Sequence, residues 1–239
     1  VAFAARNLKG MESRGCQLAP LTITFNDRMT LQLGDLTVRL LHFGRAHSTG
    51  DIFLHIPEEG LLFTGDLFLD QKWLPLFAGL RTLEIPRWIE VLNDVLQPES
   101  AVRTVIPGHI GTWPREKLAL WRDYIVQLWQ AVQVAVKEGK TLEEFVRQYP
   151  LPTSCMYLRD LGHTKERLQR FHEGNIRAFW RQLVPSPLQE IEMAIQQGGA
   201  DAAEKRFQEI QARAKGVSFD EKEMNRYGYE LLTSGKLPE

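Results

Sequence analysis

Only two cysteines, Cys16 and Cys155, occur in 239 residues. That scarcity excludes a disulfide framework and a cysteine-based zinc knuckle, and leaves room for at most one long-range bridge. No apolar run approaches the roughly 18 residues that a membrane-spanning helix needs. Charge of one sign is lacking too, since 29 Lys and Arg stand against 30 Asp and Glu. With no overall positive field to attract nucleic acid or anionic lipid, a small-molecule substrate is the better expectation. What is present is ordinary globular material: 44% hydrophobic residues suffice for a full core, and the length suggests one large domain plus an appendage. The chain opens on Val1 without Met and stops at Leu237-Pro238-Glu239, so it reads as a stretch of a longer protein.

Hydrophobic periodicity divides the chain. Residues 1–20 mix Ala, Arg and Gly without a clear period. From Leu21, strict alternation of Leu21, Ile23 and Phe25 with Thr22 and Thr24 predicts a half-buried strand. Further strands are expected at 30–33, 36–43, 52–56 and 61–64, separated by Gly34-Asp35 and by the Pro57 to Gly60 turn. Together, residues 21–64 read as an antiparallel meander. The period then turns helical: Pro86 precedes a stripe of Trp88, Ile89, Leu92, Val95 and Leu96, predicting a helix over 86–96. A buried strand at 102–106 leads into Pro107-Gly108-His109, and a long helix over 114–138 carries Leu118, Trp121, Ile125, Leu128 and Val132 on one side until Gly139. Beyond Lys140 the chain is almost wholly helical. Capping boxes at Thr141/Glu144, Ser186/Gln189 and Ser218/Glu221 mark three starts. Boundaries near 140 and 185 give three parts: 1–139, a helical extension 140–184, and a helical tail 185–239.

Three segments carry chemistry: Ala46-His47-Ser48-Thr49-Gly50-Asp51, Phe63-Thr64-Gly65-Asp66-Leu67-Phe68 and Ile106-Pro107-Gly108-His109-Ile110-Gly111. Each sets a metal-capable side chain at a strand end beside glycine, which permits a sharp turn and close backbone approach. Zinc accepts imidazole nitrogen and carboxylate oxygen, and a catalytic site keeps a position open. Taken singly, each segment is a common turn; it is their conjunction and order that point to a site.

In that order the segments resemble the C-terminal half of the metallo-β-lactamase superfamily, over roughly residues 20 to 136. The resemblance implies an α+β fold, an αββα sandwich represented here in part, without its N-terminal half and with an all-α C-terminal extension. It implies that His47 and His109 each complete the ligand set of one metal, that Asp66 bridges both, and that Asp51 steadies the His47 loop. Two zinc ions per intact site, with iron as the other candidate, would hold a hydroxide that hydrolyses an ester, thioester, amide or lactam bond. Ile110 departs from the small residue expected in its turn. A larger departure is the absence of the upstream His-x-His-x-Asp-His stretch that supplies most remaining ligands. Three ligands shared by two metals are too few, so this stretch alone is expected to be inert.

The other candidates carry two readings each. His163, in Leu161-Gly162-His163-Thr164, reaches over an active site or simply caps the following helix; Trp113, like Trp73 and Phe77, walls a substrate pocket or packs in the core. His42 and His55, within strands, read as packed or edge residues and His172, mid-helix between Phe171 and Glu173, as no ligand either; Trp121 and Trp129 read as core. The tail lacks His and Cys and is expected to contribute no metal ligand. Its segment Asn225 to Leu232 with Gly235-Lys236 is similar to the first helix of a tetratricopeptide-like unit, which implies a protein partner or self-association through the tail. The leading reading is a metal-dependent hydrolase. An iron oxidoreductase of the same superfamily and a non-catalytic scaffold are the alternatives, separated by metal identity and by the presence of the upstream ligands.

Overall fold

A computed structural model describes residues 22–44, 50–68, 83–109, 111–155 and 162–213. They fall into two compact units, one spanning Phe25–Val184 and the other containing residues 185–213.

The first unit is built on a six-stranded sheet in the order β1-β2-β3-β4-β5-β6. Its strands are β1 (Arg28–Leu33), β2 (Leu36–His42), β3 (Ile52–Ile56), β4 (Leu61–Gly65), β5 (Thr104–Pro107) and β6 (Trp113–Pro114). The first four pair antiparallel, as the alternation anticipates. The expected strand at 21–25 is not found: residues 23–25 form no regular structure, and Ile23 is exposed. Among the described residues no neighbouring strand matches that alternation, and a strand without a ladder has nothing to satisfy its backbone. β5 pairs with β4 in parallel. The chain reaches β5 from β4 across α1 (Ile85–Val95) and a short 3-10 turn (Pro98–Ser100), the crossover that a parallel neighbour requires.

One face of the sheet, with Phe53, Leu62 and Val105, packs into a core with Trp88, Leu92 and Val95 of α1 and with α2 (Arg115–Lys137). α2 buries Leu118, Trp121, Ile125, Leu128 and Val132, the stripe that its 3.6-residue period places on one side. Phe145 of α3 (Leu142–Gln148) and Leu168, Ile176 and Phe179 of α4 (Lys165–Leu183) share this core. The helices of the extension therefore pack with the sheet. α3 begins at the Thr141/Glu144 capping box with both reciprocal bonds formed. On the opposite face, Val38 and Leu40 are buried and Leu54, Phe63 and Ile106 half-buried. Both faces are thus apolar, as in a sheet that is one layer of a sandwich; the described residues contain this one sheet, with helices on one side.

In the second unit, α5 (Pro187–Arg213) is broken by non-helical angles at Gly198 and Gly199. Ser186 and Gln189 cap its start reciprocally. Arg206 bonds Glu190 sixteen positions away, which in a straight helix would lie roughly 24 Å off. The glycine pair therefore folds the helix back into a hairpin. Ser218 and Glu221, and the tetratricopeptide-like segment from Asn225, lie outside the described residues.

Candidate metal centre

Parallel pairing puts the carboxyl ends of β4 and β5 side by side, so the segments leaving them emerge together, the position where open α/β sheets bind ligands. The register shifts between Phe63 and Gly65, and Gly65 pairs with Pro107. Thr64, wholly buried, donates to the Ile106 carbonyl at 3.4 Å and ties the two strands just below their ends. Gly65 has φ +54°, a left-handed turn that lifts the next residue off the strand. Asp66 follows in the open, while Leu67 and Phe68 return into the core, Phe68 against Phe53 and Trp113. The carboxylate is thus exposed on a backbone clamped from both sides.

Gly108 makes the approach possible. A Cβ there would lie 2.2 Å from Asp66 Oδ1 and 2.7 to 2.8 Å from the Gly65 backbone, distances no side chain tolerates. Its amide donates to the Phe68 carbonyl at 3.2 Å. His109 then sets Nε2 3.4 Å from Asp66 Oδ1, the two side chains 56% and 42% exposed. That separation is long for a charge-assisted hydrogen bond, which runs about 2.7–2.9 Å. It suits a shared ion: two donors at about 2.1 Å from a tetrahedral zinc stand roughly 3.4 Å apart. The pair fits one edge of a metal site. Among the described residues no third His, Cys, Asp or Glu completes a metal-holding group.

His47 lies outside the described residues, as does Ile110. The strands that flank His47, β2 and β3, meet at the paired residues His42 and Ile52. Asp51, half-buried, stands at the start of β3, and antiparallel pairing with β4 carries that start to the end of the sheet where Asp66 emerges. His163 is 8% exposed and directly precedes Thr164, the N-cap of α4. Trp113 is 1% exposed and stacks edge-on against Phe68 and Trp121 in the core. Packing in the core, one of its two readings, is therefore what its contacts show; as a pocket wall it would have no surface to offer. Cys155 is a free, buried thiol that burial pushes up to about 11, which removes the thiolate needed for reactivity or metal binding.

A second polar cluster escaped the sequence reading. His172 is wholly buried, its Nδ1 2.9 Å from the Tyr124 hydroxyl, to which Asn175 Nδ2 donates at 3.1 Å. Burial drives the His172 imidazole down to about 4, against the raising influence of the Tyr149 and Pro150 backbone. It also holds the Tyr124 phenol far above its ordinary range, the Asn175 bond opposing. The signal was available, since His172 and Asn175 are three apart on one helical face.

No protein-family model matches the chain. By sequence it is similar to metallo-beta-lactamase type 2 of Bacteroides fragilis, 26% identical over 85 residues, covering 36% of this chain and 34% of that protein. It is likewise similar to acyl-coenzyme A thioesterase MBLAC2 of Bos taurus, 33% identical over 103 residues, covering 41% of this chain and 34% of that protein. The chain thus spans about a third of the length of the curated relatives it matches. Among solved structures it shares its fold with the inverting sec-alkylsulfatase Pisa1 from Pseudomonas sp. at a TM-score of 0.52 and 16% identity, over 82% of this chain and 33% of that one.

Proposed function

We propose that this chain, which over part of its length matches a metallo-β-lactamase and an acyl-coenzyme A thioesterase by sequence and a sec-alkylsulfatase by fold, is the ligand-bearing C-terminal portion of a metal-dependent hydrolase acting on an ester-type bond of a small molecule. The observation that carries this reading is the Asp66–His109 pair, held 3.4 Å apart beneath Gly108 at the ends of two parallel strands. Asp66 and His109, joined by His47, would be the chain's ligands to the metal site, Asp66 being the one shared between two ions. Asp51 would orient the His47 loop, as a carboxylate behind an imidazole ligand does. When bound, a zinc pair supplies Lewis-acid polarisation of the scissile group and activation of water at neutral pH.

The residues of the chain supply position and exclusion. Gly65 and Gly108 set the two donors at a fixed spacing, and Leu67 and Phe68 anchor that spacing in the core, so the ligands need little reorganisation on binding. Trp113, in β6, packs on Phe68 and Trp121 in the core; His163, just before α4, is the candidate for the substrate side. The thioesterase and the alkylsulfatase among the similar proteins direct the choice of bond toward thioesters and sulfate or carboxylate esters.

The test is metal analysis of the full-length protein together with hydrolysis of p-nitrophenyl acetate, an acyl-coenzyme A and an alkyl sulfate. Near-stoichiometric zinc, turnover of at least one substrate and loss of both in D66N would support the reading. Iron with oxygen consumption in its place would favour an oxidoreductase, and a protein that binds no metal would leave a scaffold.

A further inference from the structure

Away from the strand ends, a cavity of about 360 Å³ opens on the helix-covered side of the sheet, within the range of small-molecule sites. Cross-strand pairing of Arg28 with Leu41 and of Arg39 with His55 puts these four side chains on one face. α1 ends at Val95, and the chain turns away through the 3-10 turn Pro98–Ser100. The cavity lies between that turn and the strands, walled by Arg39 and His55 on one side and by Asp94 and Glu99 on the other. His55 pairs with Leu62, three residues before Gly65, so this place is roughly 10 Å along the strand from the metal-ligand end.

Its charges are arranged unevenly. Arg28 is neutralised by Asp94 at 2.8 Å. Arg39 and Glu99 are exposed, and among the described residues neither makes a close ion pair or a hydrogen bond, although Glu58, whose carboxyl is held below the usual range chiefly by its Thr37 hydrogen bond, lies near enough for Arg39 to add to that lowering. A guanidinium and a carboxylate thus face one cavity from opposite walls without meeting. His55, also in the lining, is 2% exposed; the Ser100 backbone acts on its ring, while its Nε2 makes no hydrogen bond of normal geometry among the described residues. A buried ring nitrogen left without a partner costs about 1–3 kcal/mol, which a polar ligand atom would recover. Leu41 and Val95 add an apolar floor. Burial lowers the His55 pKa, so the ring stays neutral near pH 7 and can accept or donate at Nε2 according to its tautomer.

We propose that this cavity is a binding site for a small zwitterion of the α-amino acid class, its carboxylate forked by Arg39, its ammonium on Glu99 and its side chain over Leu41 and Val95. A lone anion would use Arg39 and leave Glu99 repelling it; a lone cation would do the reverse. Only a ligand carrying both charges satisfies the two walls together. The site is independent of the metal centre and of the hydrolase reading.

The test follows the His55 imidazole by ¹H–¹⁵N NMR in the full-length protein, the signal assigned by its loss in H55Q. L-Norvaline, butyrate and propylamine are titrated separately. The expected result is a saturable shift with L-norvaline, at least about tenfold tighter than with butyrate or propylamine, and weakened about tenfold in both R39Q and E99Q. Because Arg39 and Glu99 are exposed, both variants should keep the wild-type thermal midpoint, so their loss of binding is not loss of fold. No saturable shift, butyrate binding as tightly as L-norvaline, or E99Q without effect would each overturn the proposal.

Discussion

Two histidines of the sheet unit each meet a side-chain oxygen, in opposite media. His109 stands at the strand ends, 56% exposed, 3.4 Å from the Asp66 carboxylate; His172 is sealed between helices, 2.9 Å from the Tyr124 hydroxyl with Asn175 completing the cluster. At the first, water and ions can reach both donors, and glycine has removed the side chain that would separate them. At the second, the surroundings force the ring to stay neutral and every partner is protein. The same residue type is a ligand candidate in one place and a helix clasp in the other, and burial with partner charge decides which.

The comparison is broken or sharpened by changing one side at a time. Asp66→Asn in the full-length protein should leave the thermal midpoint within a few degrees while lowering metal content and reducing kcat/KM at least about 100-fold, since even groups behind a ligand are worth about 10–100-fold. Unchanged metal content would remove Asp66 from the site. Gly108→Ala tests the spacing without touching a ligand: the added Cβ must displace Asp66, and a displacement of about 1 Å can cost about 100-fold in turnover. An active G108A protein would show that the close approach is dispensable.

The helix clasp answers to stability instead. The His172 pKa is depressed from 6.5 to about 4, so the unfolded chain binds the proton more readily. Stability is full above pH 6.5 and falls as the pH drops from 6.5 toward 4, by up to roughly 3 kcal/mol at about 1.4 kcal/mol per unit. Urea titrations across that window should show the decline, and H172Q should flatten it. Tyr124→Phe removes the hydroxyl from both partners and should cost about 1–3 kcal/mol, with any turnover of the full-length protein unchanged. If Y124F lowers kcat at constant stability, the two clusters are coupled and the contrast drawn between them fails. The smallest effect is expected at Thr141→Ala, which strips the α3 cap for about 1 kcal/mol, read as a small drop in melting midpoint.

Much of this was legible from periodicity. The strands expected at 30–33, 36–43, 52–56 and 61–64 and the stripes of α1 and α2 located elements to within a residue or two, because burying one face is a local demand repeated along the chain. Glycine beside Asp66 and His109 marked the strand ends where ligands can be displayed. The failures came where a segment needed a partner. Residues 23–25 alternate as a strand should, yet only a neighbouring ladder makes a strand. For Trp113 the sequence left pocket wall and core both open, and only the packing of two-residue β6 on Phe68 and Trp121 chose the core. The parallel pairing of β4 with β5, the clearance at Gly108, the burial of His172 and the cavity beside His55 are all products of long-range closure. Sequence by itself determined which residues can ligate and where strands and helices run, because those follow from residue chemistry and local period. Which of these residues meet, and in what medium, only the tertiary structure decided, because contact and dielectric belong to segments distant in the chain and brought together by folding.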